Sequence, residues 1–351
     1  MKVLYLTKYS RNGASSRLRS YQYFPFLEAK GISITVSPFF DEDYLIHLYS
    51  GKKIAKKKFI KYYLYRFFTL FSIYKYDKIV IEKELFPYFF SCFEKILWLL
   101  NVKYIVDYDD AIFHNYDLSN NKLIWFLLKN KINNVMKYSG CVVAGNSYLV
   151  ERAKDSGANK IVIIPTVIDV EAYKVQNKDA NSKVIIGWIG SPSTFKYVKK
   201  YITVFSKVLQ DQNVELHIVG ATEDLALGSN VKYLKWTQER EVALISNFDI
   251  GIMPLENTPW ELGKCAYKLI QYMGCGVPVV ASAVGMNKEV VDQGINGFLV
   301  RAEEEWIDKL TLLIADSSLR KQLGIIGRKK VESQFSLQTN CTIVLSVLSN
   351  D

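Results

Sequence analysis

Lys264 and Lys268 stand four residues apart behind Gly263, in a run that extends from Trp260 to Ser282. The run reads as a loop, a helix and a buried strand. Glu261, Gly263 and Lys264 form the loop and first turn, while Ala266, Leu269, Ile270 and Met273 recur at helical spacing. Gly274 and Gly276 stop the helix, and Val277–Ser282 reads as a strand with Pro278 at its start. A helix N-terminus presents free N–H groups and the positive end of the macrodipole, so it attracts anions. Gly263 lets the backbone come close to such a guest, and a four-residue spacing puts both ammonium groups on one side of the first turns. A diphosphate is the natural ligand. The plainer alternative is an ordinary αβ unit with two solvated lysines.

A second phosphate cradle is legible at Val184–Thr194. Gly190 and Ser191 end its strand, a helix begins near Thr194, and Lys196 lies close to that helix's N-terminus. Acidic groups gather elsewhere. Glu84 follows a predicted strand at Asp77–Glu82, Tyr104–Phe113 reads as a strand running into an acidic loop with Asp109 and Asp110, and functional groups collect at the carboxyl ends of strands in open α/β sheets. Asp107 and Asp109 also spell a D-x-D pattern, too short to be a strong metal signal.

The elements that must position these groups alternate strand and helix. Val3–Leu6 is a first buried strand; a turn carrying Gly13, Ser15 and Arg17 follows, then a helix from Arg17 to Ala29. That order opens a doubly wound sheet. Residues 51–76 differ in character: Lys52, Lys53, Lys56, Lys57, Lys58, Lys61 and Arg66 are interleaved with aromatic residues. A basic face among aromatics suits a helix lying on an anionic membrane surface. The competing readings are a core helix with a solvated lysine face, and single-stranded nucleic acid, for which no RNA-binding motif is present.

Composition sets the frame. A chain of 351 residues favours two domains over one, and 49% hydrophobic content supports folded cores. The net charge of +10 favours anionic partners. The five cysteines (Cys92, Cys141, Cys265, Cys275, Cys341) are scattered, which points to reduced thiols and a cytosolic protein. The N-terminus lacks a secretory layout, and the longest apolar region, around Leu85 to Leu100, carries Glu94 and Lys95, so no spanning helix is expected.

The run from Gly263 to Gly285, with Glu289–Val291 and Gly294–Val300 after it, resembles the donor-binding signature of the retaining GT-B glycosyltransferases of family four, the glycosyl transferases group 1. The resemblance implies an α/β protein of two Rossmann-like, doubly wound parallel-sheet domains facing across a cleft. An acceptor-binding domain would cover 1–170 and a nucleotide-sugar-binding domain 183–335. The polar stretch Asn177–Ser182 would link them, and a final helix at about 336–351 would pack back on the first domain. In that family the loop after the first strand lines the cleft, which Gly13, Ser15 and Arg17 match loosely. A histidine often ends the strand that Tyr104–Tyr108 matches; here Asp109 or Asp110 takes its place near sugar and acceptor, with His114 as rival. Leu234 to Trp236 would flank the nucleobase. Ser191 replaces the family's common arginine, Lys196 keeps its lysine, and Lys264 and Lys268 supply the missing charge. The family's two glutamates, eight apart, fall on Gly263 and Gln271. Gln271 can still hydrogen-bond ribose hydroxyls, and Glu261 stands two residues before Gly263. D-x-D metal sites belong to GT-A enzymes, so no metal is expected here. The Gly-Ser-Pro and Gly-Lys-Cys signatures resemble a subgroup in cell-surface polysaccharide synthesis.

The expected activity is therefore a retaining transfer of sugar from a nucleoside-diphosphate sugar, with no added cofactor, to a lipid-linked glycan. The expected place is the cytoplasmic face of the cell membrane, reached through residues 51–76. Lys196, Lys264, Lys268, Asp109 and Asp110 would carry the chemistry. Gly13, Gly190, Ser191, Leu234, Trp236, Glu261, Gly263 and Gln271 would bind the donor. The rivals are a nucleotide-sugar 2-epimerase on the same fold and a non-catalytic membrane-associated subunit.

Overall fold

A computed structural model describes residues 1–50, 54–175 and 183–349. Lys52, Lys53 and the expected linker Asn177–Ser182 lie outside them. The chain forms two compact units. The first comprises Met1–Thr166, Gly263–Cys265 and Asn340–Asp351; the second comprises Val167–Leu262 and Ala266–Thr339.

The first unit is built on six strands: β1 (Lys2–Leu6), β2 (Ser33–Val36), β3 (Lys78–Glu82), β4 (Tyr104–Tyr108), β5 (Cys141–Ala144) and β6 (Ile161–Ile163). All pair in parallel, in the order β2-β1-β3-β4-β5-β6. The second has β7 (Val184–Ile189), β8 (Val214–Val219), β9 (Val231–Leu234), β10 (Ile250–Met253), β11 (Val279–Ser282) and β12 (Gly297–Val300), again parallel, in the order β12-β11-β10-β7-β8-β9. Central strands such as β4, β10 and β11 are buried along their whole length. That is why their sequences are apolar runs and not alternating ones, with Asp107 of β4 the charged exception. Each sheet reverses its winding direction once, between β1 and β3 in the first unit and between β7 and β10 in the second. Ligand crevices open beyond the carboxyl ends of strands at such a reversal.

Several expectations need correction. The helix expected over Arg17–Ala29 is split into Ala14–Arg19, a 3₁₀ turn at Tyr21–Tyr23 and Phe24–Ala29. Pro25 explains the restart, since it brings no N–H and fits only the first turn of a helix. The Lys56–Leu70 helix forms, but Arg66 is not on its lysine face. Arg66 is buried, and its guanidinium donates to the Thr7 and Ser37 carbonyls at 2.9 Å each. Pro278 lies just before β11, its carbonyl accepting from Gly251 N–H at 2.9 Å. No helix among the described residues is long and apolar enough to cross a membrane.

Candidate active site

The first unit concentrates charge at its strand ends. Lys83 follows β3 with φ +70°, a conformation that costs a side-chain-bearing residue strain. There its ammonium is buried and meets Asp109 at 2.8 Å. Ser15 donates to the other Asp109 oxygen at 2.5 Å and also reaches Glu82 at 3.2 Å. Gly13 caps the Ala14–Arg19 helix that carries Ser15, and a Cβ on Gly13 would lie 2.4 Å from Cβ of Tyr9, so the turn admits only glycine. Burial pushes the Asp109 carboxyl up, but the Lys83 ammonium and the Ser15 hydrogen bond outweigh it and hold the group at about 2. Asp110 differs. Its carboxyl has no hydrogen bond or ion pair among the described residues, and burial first, then the adjacent Asp109 charge, push that carboxyl up. Lys83, Lys264 and Lys8 pull the other way. Asp110 is thus the strand-end carboxyl with no side-chain partner among the described residues.

The remaining acids are engaged. Asp107 accepts two hydrogen bonds from Arg19, at 2.9 and 2.5 Å, and Arg19 also donates to the Ile164 carbonyl at 2.7 Å. Asp107 and Asp109 therefore each answer their own cation and do not face one another as a D-x-D pair. Glu84, expected as an open acidic group, is buried against Lys131 and accepts from Tyr116 at 2.7 Å. His114 lies between Asp117 at 2.8 Å and Tyr148 at 2.9 Å.

Gly263 and Lys264 belong to this unit too. Asn146 caps the Ser147–Asp155 helix and donates from Nδ2 to the Gly263 carbonyl at 2.9 Å and the Lys264 carbonyl at 3.2 Å. A Cβ on Gly263 would come within 2.4 Å of the Ala111 Cβ, so glycine is required by close approach. The Cys265 thiol donates to the Asp109 carbonyl at 2.7 Å. Lys264 and Lys268 do not share the first turns of one helix. Ala266 adopts a left-handed conformation (φ +50°) and the helix starts only at Tyr267. Lys268 is its second residue, and Lys264 lies upstream of the reversal. No side chain caps this Tyr267–Gly274 helix.

In the second unit the expected donor residues form a linked set. Gly190 and Ser191 follow β7, and Lys196 opens the short Lys196–Lys199 helix. Gly220 has φ +88°, and a Cβ there would strike the Gly190 carbonyl at 2.2 Å and approach the Trp236 Cβ at 3.5 Å. The Gly190 turn and Trp236, two residues beyond Leu234 at the end of β9, are thus neighbours. Trp236 donates through Nε1 to Glu241 at 2.8 Å, and the other Glu241 oxygen accepts from Gln271 Nε2 at 2.7 Å and Tyr173 at 2.9 Å. One helix turn before Gln271, the Lys268 ammonium lies 5.7 Å from the Trp188 ring centroid, and Lys196 lies 4.9 Å from that of Tyr197. The Tyr197 hydroxyl donates to Glu261, which is buried and also accepts from Thr258.

Spacing did not reveal Lys83, Glu241 or Tyr197. Lys83 reads as one charge in a strand-end triplet, and Glu241 meets Gln271 only through the fold. Tyr197 had a weak signal in its place beside Lys196. Among the described residues no cluster of three or more histidine, cysteine or acidic side chains is set to hold a metal ion.

The architecture is the GT-B fold, and residues 183–316 match the family model Glycosyl transferases group 1. The capsular polysaccharide biosynthesis glycosyltransferase CapM of Staphylococcus aureus is 28% identical over 205 residues, covering 51% of this chain and 53% of CapM. The chain spans about half the length of the curated relatives it matches, or less. Among solved structures, Anabaena HepE in complex with UDP-glucose aligns with a TM-score of 0.74 at 17% identity, covering 100% of both chains. WaaG, a glycosyltransferase involved in lipopolysaccharide biosynthesis, aligns at 0.69 with 14% identity and the same full coverage. At such identities the likeness is one of fold.

Proposed function

We propose that the chain is a retaining glycosyltransferase that moves a sugar from a nucleoside-diphosphate sugar to a lipid-linked glycan in bacterial cell-surface polysaccharide synthesis. One observation carries this reading: the set at the carboxyl ends of β7 and β9, in which the Gly190 turn, Trp236, Gln271 and Lys268 are tied together inside a glycosyl transferases group 1 domain. The relatives support it, since HepE is seen with UDP-glucose and CapM serves capsule synthesis.

The roles follow from the chemistry. The Trp236 ring offers a face to the base, and the Gln271 amide reaches ribose hydroxyls. The diphosphate meets Lys196, Lys268 and the Gly190–Ser191 backbone. Fixed positive charge facing a departing anion is commonly the largest catalytic term. The acceptor hydroxyl oxygen attacks the anomeric carbon on the face the diphosphate leaves. The carbon–oxygen bond to the diphosphate breaks, and the hydroxyl proton passes to the departing phosphate oxygen. Asp110 orients the acceptor or sugar hydroxyl. These lysines make an added metal unnecessary in this account. The basic-aromatic Lys56–Leu70 helix rests on the cytoplasmic face of the membrane, where a lipid-linked acceptor is found.

The test is nucleoside-diphosphate release from a panel of nucleotide sugars, with and without membrane-derived acceptor. Transfer requires both substrates, with anomeric configuration retained. Donor converted without any acceptor would favour the 2-epimerase, and no turnover with any donor would favour the non-catalytic subunit.

A further inference from the structure

Three helices on one face of the first sheet expose apolar side chains as well as burying them. Lys56–Leu70, Cys92–Leu99 and Lys122–Leu128 contribute Tyr62, Leu97 and Leu128 to a single core cluster over β1, β3 and β4. Such one-sided placement follows from right-handed crossovers that run in one direction from β2 to β5. The first helix buries Tyr62 and Arg66 yet turns Ile60, Leu64 and Phe68 outward at four-residue spacing, Phe68 being 65% exposed. The second ends in exposed Trp98, Leu99 and Leu100. The third exposes Leu123, Trp125, Phe126 and Leu127, with Phe126 72% exposed and the Lys129 ammonium 4.0 Å from the Trp125 ring centroid. Phe67 packs on Phe93 at 5.9 Å, and Trp98 packs on Tyr138 at 5.5 Å in the helix that follows Lys122–Leu128.

Exposed apolar surface on this scale marks an interaction site, and the charges around it select the partner. No acidic residue occurs between Asp43 and Asp77, nor between Asp117 and Glu151, while the second interval carries Lys122, Lys129 and Lys137 besides the buried Lys131. A second copy of this chain would bring lysine against lysine, which disfavours pairing. An anionic bilayer satisfies both features: the rings enter the headgroup boundary and the lysines meet the lipid charge.

We infer that Lys122–Leu128 is a second membrane-contacting element, one that inserts Leu123, Trp125 and Phe126 into an anionic lipid interface on the same face of the first sheet as the Lys56–Leu70 helix. This rests on the reading that the protein works at a membrane, and the test separates the two. The probe is co-sedimentation of the full chain with phosphatidylcholine vesicles enriched in phosphatidylglycerol, against phosphatidylcholine alone. The double variant Leu123→Ser/Phe126→Ser and, separately, Ile60→Ser/Phe68→Ser should each lower partitioning about tenfold or more. Their thermal midpoints should stay unchanged, because the altered side chains already face solvent. Loss in the Ile60/Phe68 variant alone overturns this inference and leaves the membrane reading standing. A wild-type protein that ignores anionic vesicles overturns both. Wild-type self-association in sedimentation velocity, abolished by Leu123→Ser/Phe126→Ser, would assign the surface to a second copy instead.

Discussion

The two sheets share a parallel, once-reversed topology, yet their carboxyl ends hold charge in opposite ways. In the first unit cations and carboxylates are paired in the interior: Lys83 with Asp109, Arg19 with Asp107, Lys131 with Glu84. In the second, Lys196 and Lys268 lie on aromatic rings, and the carboxylates Glu241 and Glu261 accept from indole, amide and hydroxyl groups. A buried ion pair is costly to break, whereas a cation over a ring contributes about 0.5–1 kcal/mol at an exposed site. The first arrangement fixes a shape and leaves Asp110 as its open group. The second leaves its lysines on aromatic rings, the arrangement that the proposed function assigns to meeting an anion. Each unit also places a residue with a Cβ at positive φ beside its functional groups, Lys83 in one and Ala266 in the other, a placement common where function fixes the backbone.

The sharpest way to break this comparison is to remove one lysine from each unit. Lys83→Met leaves Asp109 buried without its cation and should destabilise the protein by about 3–5 kcal/mol in chemical denaturation. Lys196→Met, at an exposed cation–ring contact, should change stability by less than about 1 kcal/mol while lowering kcat/KM for transfer about 10²- to 10³-fold. Equal stability losses would erase the distinction.

A smaller effect follows from pH. The folded Asp109 carboxyl, at about 2, lies below its ordinary value of 3.8. Its contribution is therefore complete above about pH 4 and lost as pH falls toward 2. The difference corresponds to on the order of 2 kcal/mol. Asp109→Asn should flatten this limb of the acid-denaturation curve, and an unchanged limb would assign acid sensitivity elsewhere. Glu241→Ala is the mildest test. It frees the Trp236 indole and the Gln271 amide, and should weaken nucleotide binding about tenfold in calorimetric titration, consistent with loss of charge-assisted hydrogen bonds. Its kcat should hold, because Glu241 positions the nucleoside subsite and touches no reacting atom.

The sequence made the strand-helix alternation legible because buried parallel strands are nearly continuous apolar runs; β3, β4, β7 and β11 fall within the segments expected for them. The glycine-bearing turns at Gly13, Gly190 and Gly263 were also visible, since close approach leaves no alternative residue. What was not legible depends on tertiary placement. Nothing local distinguishes Arg66, buried under two carbonyls, from the lysines before it on the same helix. Helical spacing put Lys264 and Lys268 together, and only the left-handed Ala266 separates them. Glu241 lies thirty residues from Gln271 and became visible only when the fold joined them. The outward face of Lys122–Leu128 was hidden because a short apolar run looks the same whether it is buried or exposed.

The central claim, that the second unit binds a nucleoside diphosphate through this set, is tested most directly by Trp fluorescence and calorimetric titration with UDP, GDP and dTDP. The titrations would use the wild type, Trp236→Phe, Lys268→Met and Asp110→Asn, without metal and then with Mg²⁺. The account predicts metal-independent binding of one nucleotide family, weakened by Lys268→Met, optically silenced by Trp236→Phe and retained in Asp110→Asn. Binding to none of the three, or binding lost in Asp110→Asn while Lys268→Met leaves it intact, would contradict it.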